Sequence, residues 1–178
     1  MLHRLILFFA LLGLPAFAAD LPEAVAKRIA AQPERFVTFA SDVIHGFGQA
    51  GRLDAAGLES FLALERASAR ASALRQIHAG DMDGDGTVTR AELGVLAAAS
   101  SARARGRLWR QFDAADAQPD GRVTGAEITR WANAEAARRL SRAVEGDARA
   151  ILTFDRDKDG MVTEAELRKG VAFLSEAA

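Results

Sequence analysis

The chain has no cysteine and no tyrosine, and among its 178 residues only four are proline and three histidine. Without cysteine there is no disulfide framework, no thiolate metal site, no cysteine nucleophile and no acylated lipoprotein cysteine. Three imidazoles leave little room for histidine chemistry, and no serine stands in a G-x-S-x-G context, so a hydrolase elbow is absent too. Bulky side chains are also sparse. With two Trp, ten Phe and 39 Ala, much of the 49% hydrophobic fraction favours helix without filling a core. A net charge of −1 excludes a broad electrostatic appeal to nucleic acid or to an anionic membrane surface. This balance predicts an all-α protein with room for one compact domain or two small lobes.

The N-terminus reads as an address. A short basic start, Met1 to Arg4, precedes ten apolar residues from Leu5 to Leu14, then Pro15 and the small-x-small triplet Ala16, Phe17, Ala18. The apolar run falls well short of the ~20 residues that span a bilayer, and the pattern predicts a secretory signal peptide over 1–18, cleaved near Ala18. Export to the periplasm or beyond the cell follows. Loss of Arg4 moves the net charge from −1 to −2. Residues 19–35, with Pro22 and Pro33, read as an N-terminal extension holding one short helix.

What is abundant is a repeated acidic loop. Residues 81–92 place Asp81, Asp83, Asp85, Gly86, Val88, Thr89 and Glu92 at loop positions 1, 3, 5, 6, 8, 9 and 12. Residues 155–166 repeat this without a gap: Asp155, Asp157, Asp159, Gly160, Val162, Thr163 and Glu166. Acids at alternate positions turn three carboxylates toward one centre, and a hard divalent ion wants six to eight oxygens at about 2.3–2.6 Å. Position 6 needs a backbone conformation that only glycine adopts cheaply. Position 7 offers a carbonyl, so its side chain is free to vary, as Thr87 and Met161 do. The position-12 glutamate reaches back from the next helix. Thr89 and Thr163 touch the ion through water, or cap that helix with the glutamate three residues on.

A third copy, 116–127, keeps Asp116, Gln118, Asp120, Gly121, Val123, Thr124 and Glu127 in register, with Arg122 at position 7. Gln118 gives an amide oxygen but one charge fewer, so this loop should bind more weakly. An alignment starting at Asp113 instead would need about three inserted residues, and the unbroken reading is preferred. A fourth, 46–57, keeps Gly51, Leu53 and Asp54 but has Gly46, Gly48, Ala50 and Gly57 where the ligands should be.

These loops resemble the twelve-residue calcium loop of the EF-hand superfamily, and the likeness covers about residues 36–174. It implies an all-α array of two pairs of helix–loop–helix hands, the first hand degenerate. Neighbours along the chain are expected to pair: a first pair over 36–100 holding loops 46–57 and 81–92, and a second over 101–178 holding loops 116–127 and 155–166. The first loop is then a ligand-less packing partner for the second. Gly106 is the expected break between lobes, and Gly146-Asp147 the expected helix stop and cap between the third and fourth hands.

The resemblance further implies Ca²⁺ as the bound ion, in the affinity order 81–92, 155–166, 116–127, with no chemistry on a substrate. Asp at position 12 and a shorter repeat would mark a dockerin-like module, which this chain does not match. A buffer or calcium-stabilised interaction module is expected, with a groove-opening sensor of an unspecified protein partner as the alternative and a calcium-dependent enzyme as a remote one. Met82 and Met161, the two methionines left after cleavage, both lie in loops, which weighs against a Met-rich target groove. His45, His78 and the run Arg103–Arg107 read as solvated or partly buried helix positions.

Overall fold

The computed structural model describes residues 21–140 and 142–176; residues 1–18, expected to be a signal peptide, lie outside them. In chain order they form α1 (Glu23–Ala31), α2 (Pro33–Phe47), β1 (Arg52–Leu53), α3 (Ala55–His78), β2 (Val88–Thr89), α4 (Arg90–Ala98) and α5 (Ala102–Ala115). Then come β3 (Arg122–Val123), α6 (Gly125–Arg139), α7 (Arg142–Ile151), a 3-10 turn (Leu152–Phe154), β4 (Val162–Thr163) and α8 (Glu164–Glu176). The architecture is an all-α array of helix–loop–helix hands in which each two-residue strand carries position 8 of one loop, with position 7 in β1 and β3 and with position 9 in β2 and β4. None of the described helices is long and apolar enough to cross a membrane.

The loops do not pair with their neighbours in the way the sequence led us to expect. β1 pairs antiparallel with β4, Arg52 opposite Thr163 and Leu53 opposite Val162. β2 pairs with β3, Val88 opposite Val123 and Thr89 opposite Arg122. The first hand therefore joins the fourth, and the second joins the third. The two compact units follow this pairing rather than a division near residue 100: one runs to Leu58 and resumes at Gly146, and the other is Glu59–Glu145. The cause is α3. Its 24 residues are one unbroken helix, exit helix of the first loop and entry helix of the second, with no turn between them. Between the second and third loops the chain does turn: Ser101 caps α5 by accepting from the Ala104 N–H, and α4 packs on α5.

Gly106 and Gly146 are not breaks. Both lie within helices, α5 and α7, and the stop between the third and fourth hands falls at Leu140, the C-cap of α6. An isolated helical glycine costs only about 1 kcal/mol relative to alanine, which the surrounding turns offset. Asp147, expected as a cap, instead accepts from the Arg28 Nε at 3.0 Å. The N-terminal extension holds α1 and, from Pro33, the start of α2. α1 buries Val25 and Ile29 and packs on α8 and α2.

Each unit has its own apolar centre. In the unit of the second and third loops, Ile77, Val88, Leu93, Phe112, Val123, Ile128 and Trp131 form one buried cluster, with Trp109 packed against it. In the other unit Phe36, Ile44, Leu53, Phe154, Val162 and Leu167 are buried, and the rings of Phe36 and Phe154 stand 5.8 Å apart. The position-8 residues of all four loops (Leu53, Val88, Val123, Val162) are at most 1% exposed, so the residues that pair the loops also anchor the cores.

Candidate functional site

In loop 81–92 the backbone wraps its own carboxylates. Asp81 Oδ1 accepts from the Gly84 N–H at 2.9 Å and Oδ2 from Gly86 N–H at 3.1 Å. Asp83 Oδ1 accepts from Asp85 N–H at 3.1 Å, and Asp85 Oδ1 from Thr87 N–H at 2.7 Å. Ligand oxygens of Asp81, Asp83 and Asp85 lie within 4.8 Å of one another. Glu92 closes the ring: Oε1 accepts from Met82 N–H at 3.0 Å, ten residues back, and Oε2 from the Thr89 N–H and hydroxyl at 2.8 and 2.6 Å. Gly86 turns at φ 81°, in the left-handed region, where a Cβ would be strained. Thr87 lends its backbone at position 7.

Loop 155–166 repeats the pattern. Gly160 N–H donates to Asp155 Oδ2 at 2.9 Å, Asp159 N–H to Asp157 Oδ1 at 3.2 Å, and Met161 N–H, at position 7, to Asp159 Oδ1 at 2.8 Å. Asp155, Asp157 and Asp159 again bring oxygens within 4.8 Å. Glu166 accepts from Arg156 N–H at 3.1 Å and from the Thr163 N–H and hydroxyl at 3.0 and 2.7 Å. One difference is Lys158 at position 4, held at φ 59° where Gly84 takes φ 75° in the other loop. That conformation costs a residue with a Cβ about 1 kcal/mol.

A divalent ion fits these two centres. Asp155 Oδ1 is buried and has no hydrogen-bond donor, an orphan whose desolvation needs a cation or a donor to offset it. The donor set is all oxygen, as a hard cation requires. Asp155, Asp157, Asp159 and Glu166, with the Met161 carbonyl, would hold the ion in one loop. Asp81, Asp83, Asp85, Glu92 and the Thr87 carbonyl would do so in the other. Once bound, the ion would neutralise these carboxylates and tie the loop's start to the following helix.

The third loop keeps the frame with fewer charges. Gly121 N–H donates to Asp116 Oδ2 at 3.0 Å, the same five-residue span as in the other two loops, and Gly121 turns at φ 80°. This fixes Asp116 as position 1. Asp113, the alternative start, is helical in α5 and ion-paired to Arg90 at 2.6 Å. Asp120 Oδ1 accepts from Arg122 N–H at 2.9 Å. Glu127, only 3% exposed, accepts from the N–H groups of Ala117, Gln118 and Thr124 and from the Thr124 hydroxyl. With Gln118 at position 3, this loop offers three ligand carboxylates, Asp116, Asp120 and Glu127, where the two complete loops offer four.

The first loop has collapsed. Gln49 and Arg52 exchange backbone hydrogen bonds at 2.8 and 3.1 Å across Ala50 (φ 51°) and Gly51 (φ 73°), a tight turn of the kind that closes two-residue hairpins. A Cβ at Gly48 would overlap the Arg52 and Ile44 carbonyls, and one at Gly57 the Phe47 carbonyl. Backbone fills positions 3 and 12, so a ligand side chain cannot simply be restored there. Asp54 has become a cap, accepting from Gly57 N–H at 2.8 Å. Loop 46–57 serves as packing partner to the fourth loop, where the sequence had pointed to the second.

The position-12 glutamates serve as helix caps as well as candidate ligands. Thr89 with Glu92 and Thr124 with Glu127 form reciprocal capping boxes, and Thr163 with Glu166 exchange the same bonds. The Thr89 hydroxyl, then the Thr89 and Met82 N–H groups, hold the Glu92 carboxyl at about 2, from an ordinary 4.5. Glu127 is lowered by the Thr124 N–H and hydroxyl; in Glu166 burial pulls upward, and the bonds from Thr163 and from the Arg156 and Asp157 N–H groups together outweigh it. A carboxyl whose folded pKa lies below its unfolded one contributes stability above the unfolded pKa, and that contribution is lost as pH falls through the folded value. Calcium-free protein is therefore expected to lose thermal stability progressively between about pH 4.5 and pH 2, and Glu92→Gln to flatten part of that fall. Melts in chelator across this range check it.

The two histidines meet acids beside the loops. His45 Nε2 lies 3.2 Å from Glu164 Oε2, and His78 Nδ1 lies 4.0 Å from Asp81 Oδ2. Arg168, then His45, lowers the Glu164 carboxyl below its usual range. Sequence reasoning missed a closer neighbour of the fourth loop: Arg52, from the collapsed first loop, bonds Asp159 Oδ2. No motif marks it, because its meaning depends on which loops pair.

A family model described as EF hand matches residues 74–97 and 149–172, the segments holding the two complete loops. No curated protein and no solved structure matches the chain. Four loops stand in the helix–loop–helix frame, paired through their position-8 residues, and the two complete ones lie in segments that are EF hands.

Proposed function

We propose that the protein is an exported calcium-binding protein that takes Ca²⁺ at loops 81–92 and 155–166 and, more weakly, at 116–127, and that it acts as a calcium buffer or calcium-stabilised interaction module. The observation that carries this reading is the pair of complete oxygen sets: three aspartates within 4.8 Å, each set closed by a glutamate from the next helix. Export rests on residues 1–18, whose charge, length and small residues fit a cleaved signal. Where disulfides are absent, an ion bound only by the folded loop stabilises the fold by mass action, which suits a chain without cysteine.

The alternative is a sensor that opens an apolar groove on a protein partner. Exposed large apolar side chains among the described residues are Leu64, Met82 and Val95, and a Met-rich groove is not among the features in view. That favours the buffer or stapled fold. Trp109 and Trp131 both pack in the cluster that holds Val88 and Val123, so tryptophan emission reports on the unit of loops 81–92 and 116–127. A calcium titration read by tryptophan emission and by ANS is expected to change emission with flat or falling ANS. A calcium-induced rise in ANS would favour the sensor.

A further inference from the structure

The collapsed first loop has no carboxylate at positions 1, 3, 5 or 12, yet it places a charge against the fourth. Arg52 sits at position 7 of loop 46–57, on β1 opposite Thr163. Its guanidinium bonds Asp159 Oδ2. The other oxygen, Oδ1, already accepts from Met161 N–H, so Arg52 takes the oxygen that the loop's own backbone leaves over. The tight turn at Gln49–Arg52 holds the arginine's backbone in place. The second unit supplies an internal contrast. Arg122 holds the same position-7 register opposite Thr89, but the structure pairs it with no carboxylate of loop 81–92.

We propose that the ligand-less hand regulates its partner through Arg52, a tethered cation that competes for Asp159 and sets the calcium affinity of loop 155–166 below that of loop 81–92. This rests on the calcium-binding reading above. An incoming ion must either share Asp159 Oδ2 with the guanidinium or displace it, and while Arg52 stays it adds positive charge beside a divalent cation. The pair is partly exposed, at 44% and 33% for the two side chains, so solvent limits the effect to about three- to tenfold. On this view the first hand retains a role in calcium binding after losing every ligand.

The test is calcium calorimetry on the full protein carrying Glu92→Gln, so that loop 155–166 is read as the strong site. Adding Arg52→Ala or Arg52→Gln is expected to tighten that site about three- to tenfold, Gln keeping much of the side-chain stem, and the gain should shrink in half-molar KCl as exposed charge is screened. Arg122→Ala in protein carrying Glu166→Gln should shift loop 81–92 by less. If both Arg52 variants, folded by circular dichroism, bind calcium as tightly as their parent or more weakly, the role given to Arg52 is wrong while calcium binding stands. If the Glu92→Gln parent takes up no calcium at loop 155–166, both readings fall.

Discussion

Glu92→Gln is expected to weaken calcium binding at loop 81–92 by at least about a hundredfold, because affinity in such loops follows the number and charge of the oxygen ligands. Glu92 is the residue that closes this loop. It reaches back ten residues to Met82 N–H while its second oxygen caps α4 through Thr89. A glutamine can keep the Thr89 bonds through its carbonyl oxygen, but its amide then faces Met82 N–H, donor against donor. The Met82 contact is exposed, so water relieves that mismatch and the calcium-free fold should lose little, far less than the loss in binding. Calorimetry separates the two effects from urea unfolding in chelator: the variant should remain folded and lose one strong site. Glu92→Ala is expected to destabilise the free protein further, because it also removes the cap.

Phe154→Ala should be among the most destabilising single changes in the unit of the first and fourth loops, at about 3–5 kcal/mol. Phe154 is fully buried, packs against Phe36 of α2, and immediately precedes Asp155, the first residue of the fourth loop. Its ring lies on Gly170 of α8 so closely that a Cβ there would overlap ring carbons Cδ1 and Cε1. Gly170→Ala alone is therefore expected to destabilise through overpacking. In the Phe154→Ala background the added methyl would enter the vacated space, and the two losses should sum to more than the double mutant shows. Urea unfolding of the four proteins measures that coupling. Additive losses would argue against this packing, and with it against the seating of α8 on the 3-10 turn.

Loop chemistry was legible in the sequence because it is local. The oxygens that crowd together at Asp81, Asp83 and Asp85 are two residues apart, and a glycine five residues after each first aspartate turns the loop to bring the glutamate back. The all-helical class was legible from composition, rich in alanine and poor in proline, and from the loops' resemblance to helix–loop–helix hands. Pairing was not, since it depends on whether the helix between two loops is broken. Residues 65–73 read as alanine, serine and charged residues with neither Gly nor Pro, and that missing breaker is the signal that α3 runs through. Weight fell instead on Gly106 and Gly146, which single helices absorb. Arg52 could not be read as a neighbour of Asp159, 107 residues away, until the first loop was known to pair with the fourth.

The most direct test of calcium as the ligand is calorimetric titration of the protein with Ca²⁺ in a background of millimolar Mg²⁺. Two strong sites in the micromolar to sub-millimolar range and one weaker site are expected, the strong pair reduced to one by Glu92→Gln and again to one by Glu166→Gln. No uptake at millimolar calcium, or a preference for Mg²⁺, would contradict calcium as the ligand.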